Sequence, residues 1–325
     1  MDPRGAAGDG GGVTHGLVVG AFLPPHAGHA MLIETAQALV ERLTILLLWR
    51  ADDPIPGSER LGWLRELFPL ARVAAAEVQE WETVSLAPIV HGAVEAIDLL
   101  FSADNHGREL AQVLGARHVM LDPAHAAVPI ADVEVRADPF GHWRYLPPPV
   151  RGHYARTICL HGPESTGKST LAPQLARHFD TSYVPEYGRT YCEQHGLALG
   201  MRDLVAIGRT HAAMIHALKR VCNRRLILDT DPVMTAAWAE MLFNARDPWF
   251  DAFDDTADLY LLLDIDMPWV DDGTRFFGDE ARRRRFFDLS RAELERRGLR
   301  YIVIGGPAEE RFDRALAALG KAGLG

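Results

Sequence analysis

A glycine-rich octapeptide near the middle of the chain constrains its fold more than any other feature. Residues 162–169 read Gly-Pro-Glu-Ser-Thr-Gly-Lys-Ser, which matches the pattern G-x-x-x-x-G-K-[ST] in full. An apolar run at 158–160 precedes the octapeptide, and helical spacing follows through Leu171 and Leu175. A strand, such a loop and a helix in this order form a phosphate-binding loop, whose backbone N–H groups face phosphate oxygens. An α/β domain that binds a nucleotide is therefore expected.

The residue types of this loop predict their roles. Lys168 is long enough to reach the β- and γ-phosphates, and the Ser169 hydroxyl is a ligand for Mg²⁺. The helix N-terminus adds a partial positive charge. A glycine-rich turn with an incidental lysine is the alternative, which the flanking strand and helix disfavour. The residues expected to contact the nucleotide are Gly162, Glu164, Ser165, Thr166, Gly167, Lys168, Ser169 and Thr170.

Bulk composition limits the class of partner. A net charge of −10 lacks the basic face that a nucleic-acid footprint needs, whereas a small phosphate ligand needs only a local positive pocket. The cysteines at 159, 192 and 222 have neither metal nor redox spacing, which indicates structural roles in a reducing, cytoplasmic compartment. No apolar run reaches membrane-spanning length, so no membrane partner is expected.

The length of 325 residues favours two domains, and three consecutive prolines at 147–149 mark the joint, since prolines cannot continue a helix or a central strand. We expect a disordered, glycine-rich tail at 1–13, a first domain at 14–147 and a second at 152–325. Strands alternate with helices in both halves, which predicts two α/β domains, each with a doubly wound parallel sheet.

The expected elements follow from apolar runs and helical spacing. In the first half, strands are predicted at 16–20, 43–49 and 118–121, and helices at 57–67, 87–102 and 107–114. In the second half, strands are predicted at 156–160, 226–229, 259–264 and 301–304, with a shorter one near 182–184 and the longest helix around 201–221.

Two histidines follow the first predicted strand. Residues 20–29 read Gly-Ala-Phe-Leu-Pro-Pro-His-Ala-Gly-His, which places His26 and His29 at the start of a helix. Open α/β sheets bind ligands at the carboxyl ends of their strands, and imidazoles there can donate hydrogen bonds to phosphate oxygens. Solvated loop histidines are the alternative. The preceding strand, the following helix, Phe22 and Pro24 favour a binding role.

The pattern G-x-F-x-P-x-H-x-G-H resembles the signature of nucleotidyltransferases, particularly nicotinamide mononucleotide adenylyltransferases. Joined to a phosphate-loop kinase, the chain resembles the bifunctional NadR family from about Gly16 to about Tyr301. Four further strings resemble that family in the same order, at 53–57, 185–189, 229–231 and 269–273.

The resemblance implies a Rossmann-like nucleotidyltransferase domain followed by a phosphate-loop kinase domain. The kinase would use ATP as co-substrate, with Mg²⁺, to phosphorylate the 5′-hydroxyl of nicotinamide riboside. The first domain would join the resulting nicotinamide mononucleotide to the AMP part of ATP, giving NAD and pyrophosphate. A homo-oligomer stays open. In the first domain the implied nucleotide-binding residues are Gly20, Phe22, His26, Gly28, His29 and Arg136, with both histidines catalytic.

One departure from the family concerns its second phosphate motif, I-S-x-T-x-x-R. The matching stretch, 130–136, keeps Arg136 but has Ala131 and Val133 in place of the two hydroxyl residues, and Asp132 and Glu134 add negative charge. Weak or lost adenylyl transfer is therefore expected. Two alternatives are that backbone N–H groups replace the hydroxyls, or that the first domain senses NAD or ATP without turnover.

A second departure is at the N-terminus. Some members of the family carry a helix-turn-helix domain ahead of the first strand, but only about fifteen residues precede it here, so DNA binding is not expected.

Several carboxylates and aromatic residues are candidates in the kinase half. Asp229 and Asp231 end an apolar run, where a carboxylate that binds Mg²⁺ or accepts a proton is expected. The sequence leaves open which aspartate has which of these two roles. A helix cap is the alternative. The tryptophan at 269 could stack on a pyridinium ring. The resemblance makes the arginines at 282–285 part of a lid over ATP, with Arg282 as the ATP contact, although most of the four are expected to be solvated. Catalytic roles fall to Lys168, Glu186, Asp229 and Asp231, and metal binding to Ser169 and Asp229. The implied riboside contacts are Glu186, Tyr187, Arg189, Asp231, Trp269, Asp272 and Tyr301. A kinase for another nucleoside, with a purely structural first domain, stays an alternative.

Overall fold

The computed structural model describes residues 14–80, 82–269 and 277–325. The chain divides into two compact units, unit 1 (Met1–Val150) and unit 2 (Arg151–Gly325). The expected tail at 1–13 lies outside the described residues. Over the described ranges, no helix combines the length and the apolar composition that crossing a bilayer requires.

Unit 1 is built on a five-stranded parallel sheet with the order β3-β2-β1-β4-β5. Its centre is formed by the long apolar strand β2 beside β1, as expected where both faces of a parallel sheet are covered. The strands of unit 1 are β1 (His15–Gly20), β2 (Arg42–Trp49), β3 (Arg72–Glu77), β4 (Leu99–Ser102) and β5 (Arg117–Met120).

Helices cover both faces of this sheet. Alternate residues of β1 and β2 enter different cores: Val18 and Ile45 pack in one, and Leu17 and Leu46 in the other. The sheet is therefore doubly wound, as the sequence predicts. The helices of unit 1 are α1 (Ala27–Leu39), α2 (Gly57–Leu67), α3 (Thr83–Ala93), α4 (Asn105–Leu114) and α5 (Asp132–Ala137), with a 3₁₀ turn at Trp143–Tyr145.

The expected helix at 87–102 is wrong in its second half. α3 ends at Ala93, and Leu99–Ser102 forms β4, which pairs with β1 through Gly16 and Leu99. A short apolar run fits a buried helix and a buried strand equally well, so spacing alone misassigned it. The sequence also missed β3, whose alanines have low strand propensity but pair with β2.

Unit 2 contains a second five-stranded parallel sheet, with the order β10-β9-β6-β8-β7. The strand that precedes the phosphate loop is therefore central, between β8 and β9, and its carboxyl end is surrounded by other strand ends. The strands are β6 (Arg156–His161), β7 (Tyr183–Val184), β8 (Arg225–Asp229), β9 (Leu259–Leu263) and β10 (Tyr301–Ile304).

The proline run does not exclude a helix: α6 begins at Pro148 within it, because prolines in a first turn lack only N–H groups that have no intrahelical partner. The helices from there on are α6 (Pro148–Tyr154), α7 (Lys168–His178), α8 (Tyr187–His195), α9 (Met201–Lys219), α10 (Pro232–Phe243), α11 (Pro248–Ala252), α12 (Glu280–Arg296) and α13 (Ala308–Lys321).

Candidate functional site

The phosphate loop of unit 2 runs from the end of β6 to the start of α7. Three of its residues have positive φ angles: Gly162 (121°), Ser165 (55°) and Gly167 (86°). A Cβ atom on Gly162 would lie 2.8 Å from the carbonyl oxygen of Leu263, which is backbone and cannot give way. Glycine is therefore required here by both conformation and space. The loop curls as a phosphate-binding nest requires.

Lys168 lies inside the loop that it serves. Its side chain is only 7% exposed, and Nζ donates hydrogen bonds to the carbonyl oxygens of Gly162 (2.8 Å) and Pro163 (2.7 Å). The ammonium group is thus held at the loop by two backbone carbonyl oxygens. A phosphate oxygen entering the loop gains a pre-positioned cation.

A buried arginine that the sequence analysis missed supports this loop from behind. Arg311, on α13, donates to the carbonyl oxygens of Thr166 (2.9 Å) and Asp264 (3.0 Å), and it forms an ion pair with Asp266. Its side chain is almost fully buried. One guanidinium therefore joins the loop to the end of β9. Only the fold brings α13 to this position, so no local pattern marks this residue.

We expect Arg311→Met to destabilise unit 2 by about 2–4 kcal/mol, because it leaves several buried carbonyl oxygens without donors. KM for ATP should rise as well, since the loop loses its support. Thermal unfolding and steady-state kinetics measure the two effects. Arg314→Met, on the same helix but exposed and paired with Glu310, is the matched control and should change neither. A normal KM in Arg311→Met would contradict a supporting role.

Asp229 and Ser169 are the pair that could hold a cation. Asp229 ends β8 and is 2% exposed, and the Ser169 hydroxyl hydrogen bonds to its carboxylate. Within the described residues, Oδ1 of Asp229 has no hydrogen-bond partner. Burial and then the nearby Glu186 raise the pKa of Asp229 to about 6, while Lys168 opposes the shift. A buried carboxylate oxygen with no partner beside a loop hydroxyl suits a hard cation such as Mg²⁺.

Asp231 caps a helix, which was the alternative to its catalytic role. It is the N-cap of α10, and Oδ1 accepts from the N–H groups of Val233 (3.0 Å) and Met234 (3.2 Å). Oδ2 accepts from the Tyr260 hydroxyl at 2.6 Å. Thr230, with a φ of 69°, turns the chain between the two aspartates. With both oxygens bonded, Asp231 lies in the core, and the geometry does not support its expected catalytic and riboside contacts.

A cavity of about 430 Å³ opens beside the loop. All eight loop residues expected to contact a nucleotide line it, together with Glu186 and Arg189. Apolar side chains from α9 and α10 also line it, namely Leu204, Ile207, Met234 and Trp238. The cavity thus combines a phosphate-binding loop with apolar surface that suits a flat ring.

His211 is the second functional candidate that the sequence analysis missed. It lies on α9, lines the cavity and is 1% exposed. Its Nε2 atom has no hydrogen-bond partner among the described residues. Burial lowers the pKa of His211 to about 4, so the ring is neutral at pH 7. A neutral, buried ring nitrogen without a partner is available to a polar group on a ligand.

In addition to Asp229 and Asp231, four expected contacts do not line this cavity. Tyr187 packs among the apolar residues of α8 and α9, and Arg282 is an exposed residue paired with Asp279. Tyr301 lies at the amino end of β10, away from the carboxyl ends that form the loop, and donates to Glu295. The side chain of Trp269 lies against Gly278.

The expectation failed for these four residues because a sequence motif carries no information on which side of a helix or strand faces the cavity. Asp272 lies outside the described residues, as does the rest of 270–276. In the arginine run, Arg283 is buried and donates to the carbonyl oxygen of Met267.

In unit 1, the two histidines lie side by side at the start of α1, with ring centroids 4.1 Å apart. His26 is the N-cap, and a Cβ on Gly28 would lie 2.9 Å from its ring, so only glycine fits between the histidines. Phe22 packs edge-on against His29 at 4.9 Å. Arg136 reaches the same loop and donates to the carbonyl oxygen of Leu23 at 2.6 Å. The structure therefore brings these five predicted residues together.

The acidic residues of the altered motif behave differently from each other. The Asp132 carboxylate contacts both histidines, with Oδ1 2.8 Å from His26 Nε2 and 3.4 Å from His29 Nε2. Glu134 instead caps its own helix, accepting from the N–H of Ala131 at 2.8 Å. Val133 is exposed. Only one of the two added charges lies at the histidines.

A second cavity of about 320 Å³ lies at the carboxyl ends of β1, β2 and β4, and Gly20 lines it with Ser102 and Asp104. The loop beside it is fixed by Arg60, which the sequence analysis missed. Arg60 is fully buried, pairs with Asp53 and donates to the carbonyl oxygen of Ala21 at 2.7 Å.

The family model described as an AAA domain matches residues 157–311. The trifunctional NAD biosynthesis/regulator protein NadR of Escherichia coli strain K12 is 29% identical over 92% of this chain and 80% of its own length. The protein of the same name from Salmonella typhimurium strain LT2 is 28% identical over 89% and 78%, respectively.

Two solved structures share the fold. A NadR protein in complex with NR superposes with a TM-score of 0.79 and 22% identity, covering 95% of this chain and 96% of that one. A NadR protein in complex with NAD and AMP-PNP gives a TM-score of 0.74 and 20% identity, with the same coverage. The sequence match extends across both units, so the chain is homologous to the NadR proteins.

Proposed function

We propose that unit 2 transfers the γ-phosphoryl group of ATP to the 5′-hydroxyl of nicotinamide riboside. The observation that carries this proposal is one cavity that is lined by eight residues of the phosphate-loop region, by Glu186 and Arg189, and by Trp238 and His211. The homologous NadR proteins are described as NAD biosynthesis proteins, and a structural relative was solved with NR. Both support a pyridine riboside as the acceptor.

In this mechanism the loop binds the phosphates and Lys168 stabilises the charge that develops on the transferred group. Ser169 and Asp229 would hold Mg²⁺, which supplies neutralising charge for the β- and γ-phosphate oxygens. Glu186 is half-buried and lines the cavity near Asp229. We assign to it the acceptance of the riboside hydroxyl proton. Arg189, on the same helix, orients the acceptor.

His211→Leu should raise KM for the riboside about tenfold, because the ring nitrogen is placed to hydrogen bond to the acceptor and the leucine is not. KM for ATP should stay unchanged. The same substitution should stabilise the free protein by about 1 kcal/mol, since it removes a buried polar atom without a partner. His216→Leu, on the exposed side of α9, is the control. An equal increase in both KM values would show that His211 only packs.

Unit 1 carries the second candidate function, adenylyl transfer from ATP to nicotinamide mononucleotide. The paired histidines and Arg136 favour it, and one structural relative was solved with NAD. The missing hydroxyls at 131 and 133 and the charge of Asp132 argue for a slow reaction or for binding without turnover. A sensor of NAD or ATP is therefore the alternative for this unit.

One incubation tests the proposal. Purified protein is given nicotinamide riboside and Mg-ATP, and the products are identified by mass. We expect the mononucleotide to accumulate with little NAD. In parallel reactions, adenosine, uridine or cytidine replaces the riboside as the acceptor. Phosphorylation of one of these and not of the riboside would refute the assigned substrate while leaving a kinase. Rapid conversion through to NAD would refute the slow second step.

A further inference from the structure

The backbone at the start of α1 determines which tautomer the neutral rings of His26 and His29 adopt. Nδ1 of His26 accepts a hydrogen bond from the N–H of Gly28 at 3.0 Å, and Nδ1 of His29 accepts from the N–H of His26 at 3.3 Å. A ring nitrogen that accepts a hydrogen bond carries no proton, so in each neutral ring the proton is on Nε2. The helix start therefore presents two Nε2–H donors.

Both donors lie near one oxygen atom. Oδ1 of Asp132 is 2.8 Å from Nε2 of His26 and 3.4 Å from Nε2 of His29, and Oδ2 accepts from the N–H of Leu23. Burial lowers the pKa of His29 to about 4, and the adjacent histidines hold the pKa of Asp132 at about 2 against its burial. The arrangement is thus one carboxylate between two Nε2–H donors. A phosphate oxygen has the same charge and the same acceptor chemistry.

We propose that Asp132 is an internal anion that occupies the phosphate-binding position between His26 and His29, so that a nucleotide phosphate or pyrophosphate binds there only after displacing it. This inference rests on the proposal that the histidine pair of unit 1 binds phosphate. It adds that Asp132 controls whether an anion can bind between the two histidines. The tautomers also disfavour a divalent cation at these three side chains, because each Nε2 carries a proton where a metal would need a lone pair.

Two explanations for weak anion binding make different predictions: the Asp132 carboxylate blocks the site, or the hydroxyl donors at 131 and 133 are missing. Replacing Ala131 by serine and Val133 by threonine restores donors but leaves the carboxylate between the histidines. We therefore expect that double variant to bind anions no more than about twofold better. Asp132→Ala frees both donors, and Asp132→Asn removes the charge while keeping the shape of the side chain.

The experiment uses the full chain labelled with ¹⁵N-histidine, and inorganic pyrophosphate as the probe. Long-range ¹H–¹⁵N correlation reports the tautomer of each ring and its response to the probe, with signals assigned through His26→Gln and His29→Gln. The readout is confined to the rings of His26 and His29 in unit 1. Glu134→Gln is the matched control, because it removes one charge from the same short helix without touching the histidines.

We expect Nε2–H tautomers in the native rings, and pyrophosphate binding at least about tenfold tighter in Asp132→Ala than in the native chain. Asp132→Asn should show a smaller gain, which keeps the test decisive if the alanine variant does not fold. Equal affinity in native and variant chains, no binding by either Asp132 variant, or the same gain from Glu134→Gln would overturn the inference. Tighter pyrophosphate binding in an Asp132 variant that forms no NAD from the mononucleotide and ATP would sustain the inference and refute adenylyl transfer.

Discussion

Replacing Lys168 by alanine is expected to lower kcat for riboside phosphorylation by at least about 10³, because charge on the transferred phosphoryl group loses its fixed cation. The ammonium group is held at the loop by two carbonyl oxygens before any ligand arrives, so its position costs little reorganisation during the reaction. Product formation with saturating riboside and ATP measures the effect.

A separate measurement must show that the Lys168 variant is folded. Both hydrogen bonds of the Lys168 ammonium group are to carbonyl oxygens of its own loop, so we expect the cooperative unfolding transition of unit 2 to persist. Lys219→Ala is the matched control, since that lysine lies at the end of α9 in an ion pair with Asp255. Retention of riboside turnover within tenfold in Lys168→Ala would refute the role of this loop.

Asp229→Asn is expected to lower kcat by about 10²–10³ and at the same time to stabilise the free protein. The folded-state pKa of about 6 lies above the ordinary value of 3.8, so folding is penalised at pH 7, where the buried group must be ionised. The penalty disappears as the pH falls through 6 towards 4, because the folded state then holds the proton more tightly. The asparagine variant should gain about 1–3 kcal/mol at pH 7 and lose this pH dependence.

Asp231→Asn is the control for the kinetic part of this experiment only, because burial also raises the pKa of Asp231 to about 6 and its substitution is expected to change stability in the same pH range. Asparagine is a good N-cap, so it preserves the start of α10, and its side chain remains in the core away from the cavity. We expect kcat to stay within about tenfold of the native value. A large loss of kcat in Asp231→Asn, with little change in Asp229→Asn, would reverse the assignment of the two carboxylates. Unfolding curves between pH 4 and 8 and steady-state rates provide both measurements.

The sequence predicted the fold class correctly because long apolar strands and the phosphate loop are local signals. β2, β6, β8 and β9 are buried on both faces and read as continuous apolar runs. β3 lacked such a signal, and the short apolar run of β4 fits a helix equally well. Their strand conformation depends on pairing with β2 and β1, which is a long-range interaction that no local pattern contains.

The candidate site was predictable to the extent that its residues belong to contiguous motifs. The phosphate loop and the histidine pair are of this kind, and their proposed roles stay predictions. Arg311 and His211 could not be found, because each reaches the loop or cavity from a helix that is distant in sequence. Asp229 and Asp231 are two residues apart and chemically identical, so only their surroundings separate an unsatisfied carboxylate from a helix cap.

The sequence alone determined two parallel α/β sheets, a phosphate loop after the first strand of the second sheet, and paired histidines after the first strand of the chain. Each depends on residue type at short spacing, which local geometry converts directly into structure. Tertiary structure decided which charged groups have partners. Asp132 lies between the two histidines across 106 residues of chain, and within the described residues one buried oxygen of Asp229 has no hydrogen-bond partner. Such outcomes depend on burial and distance in space, because the cost of an unpaired charge is set by the surroundings that the fold creates.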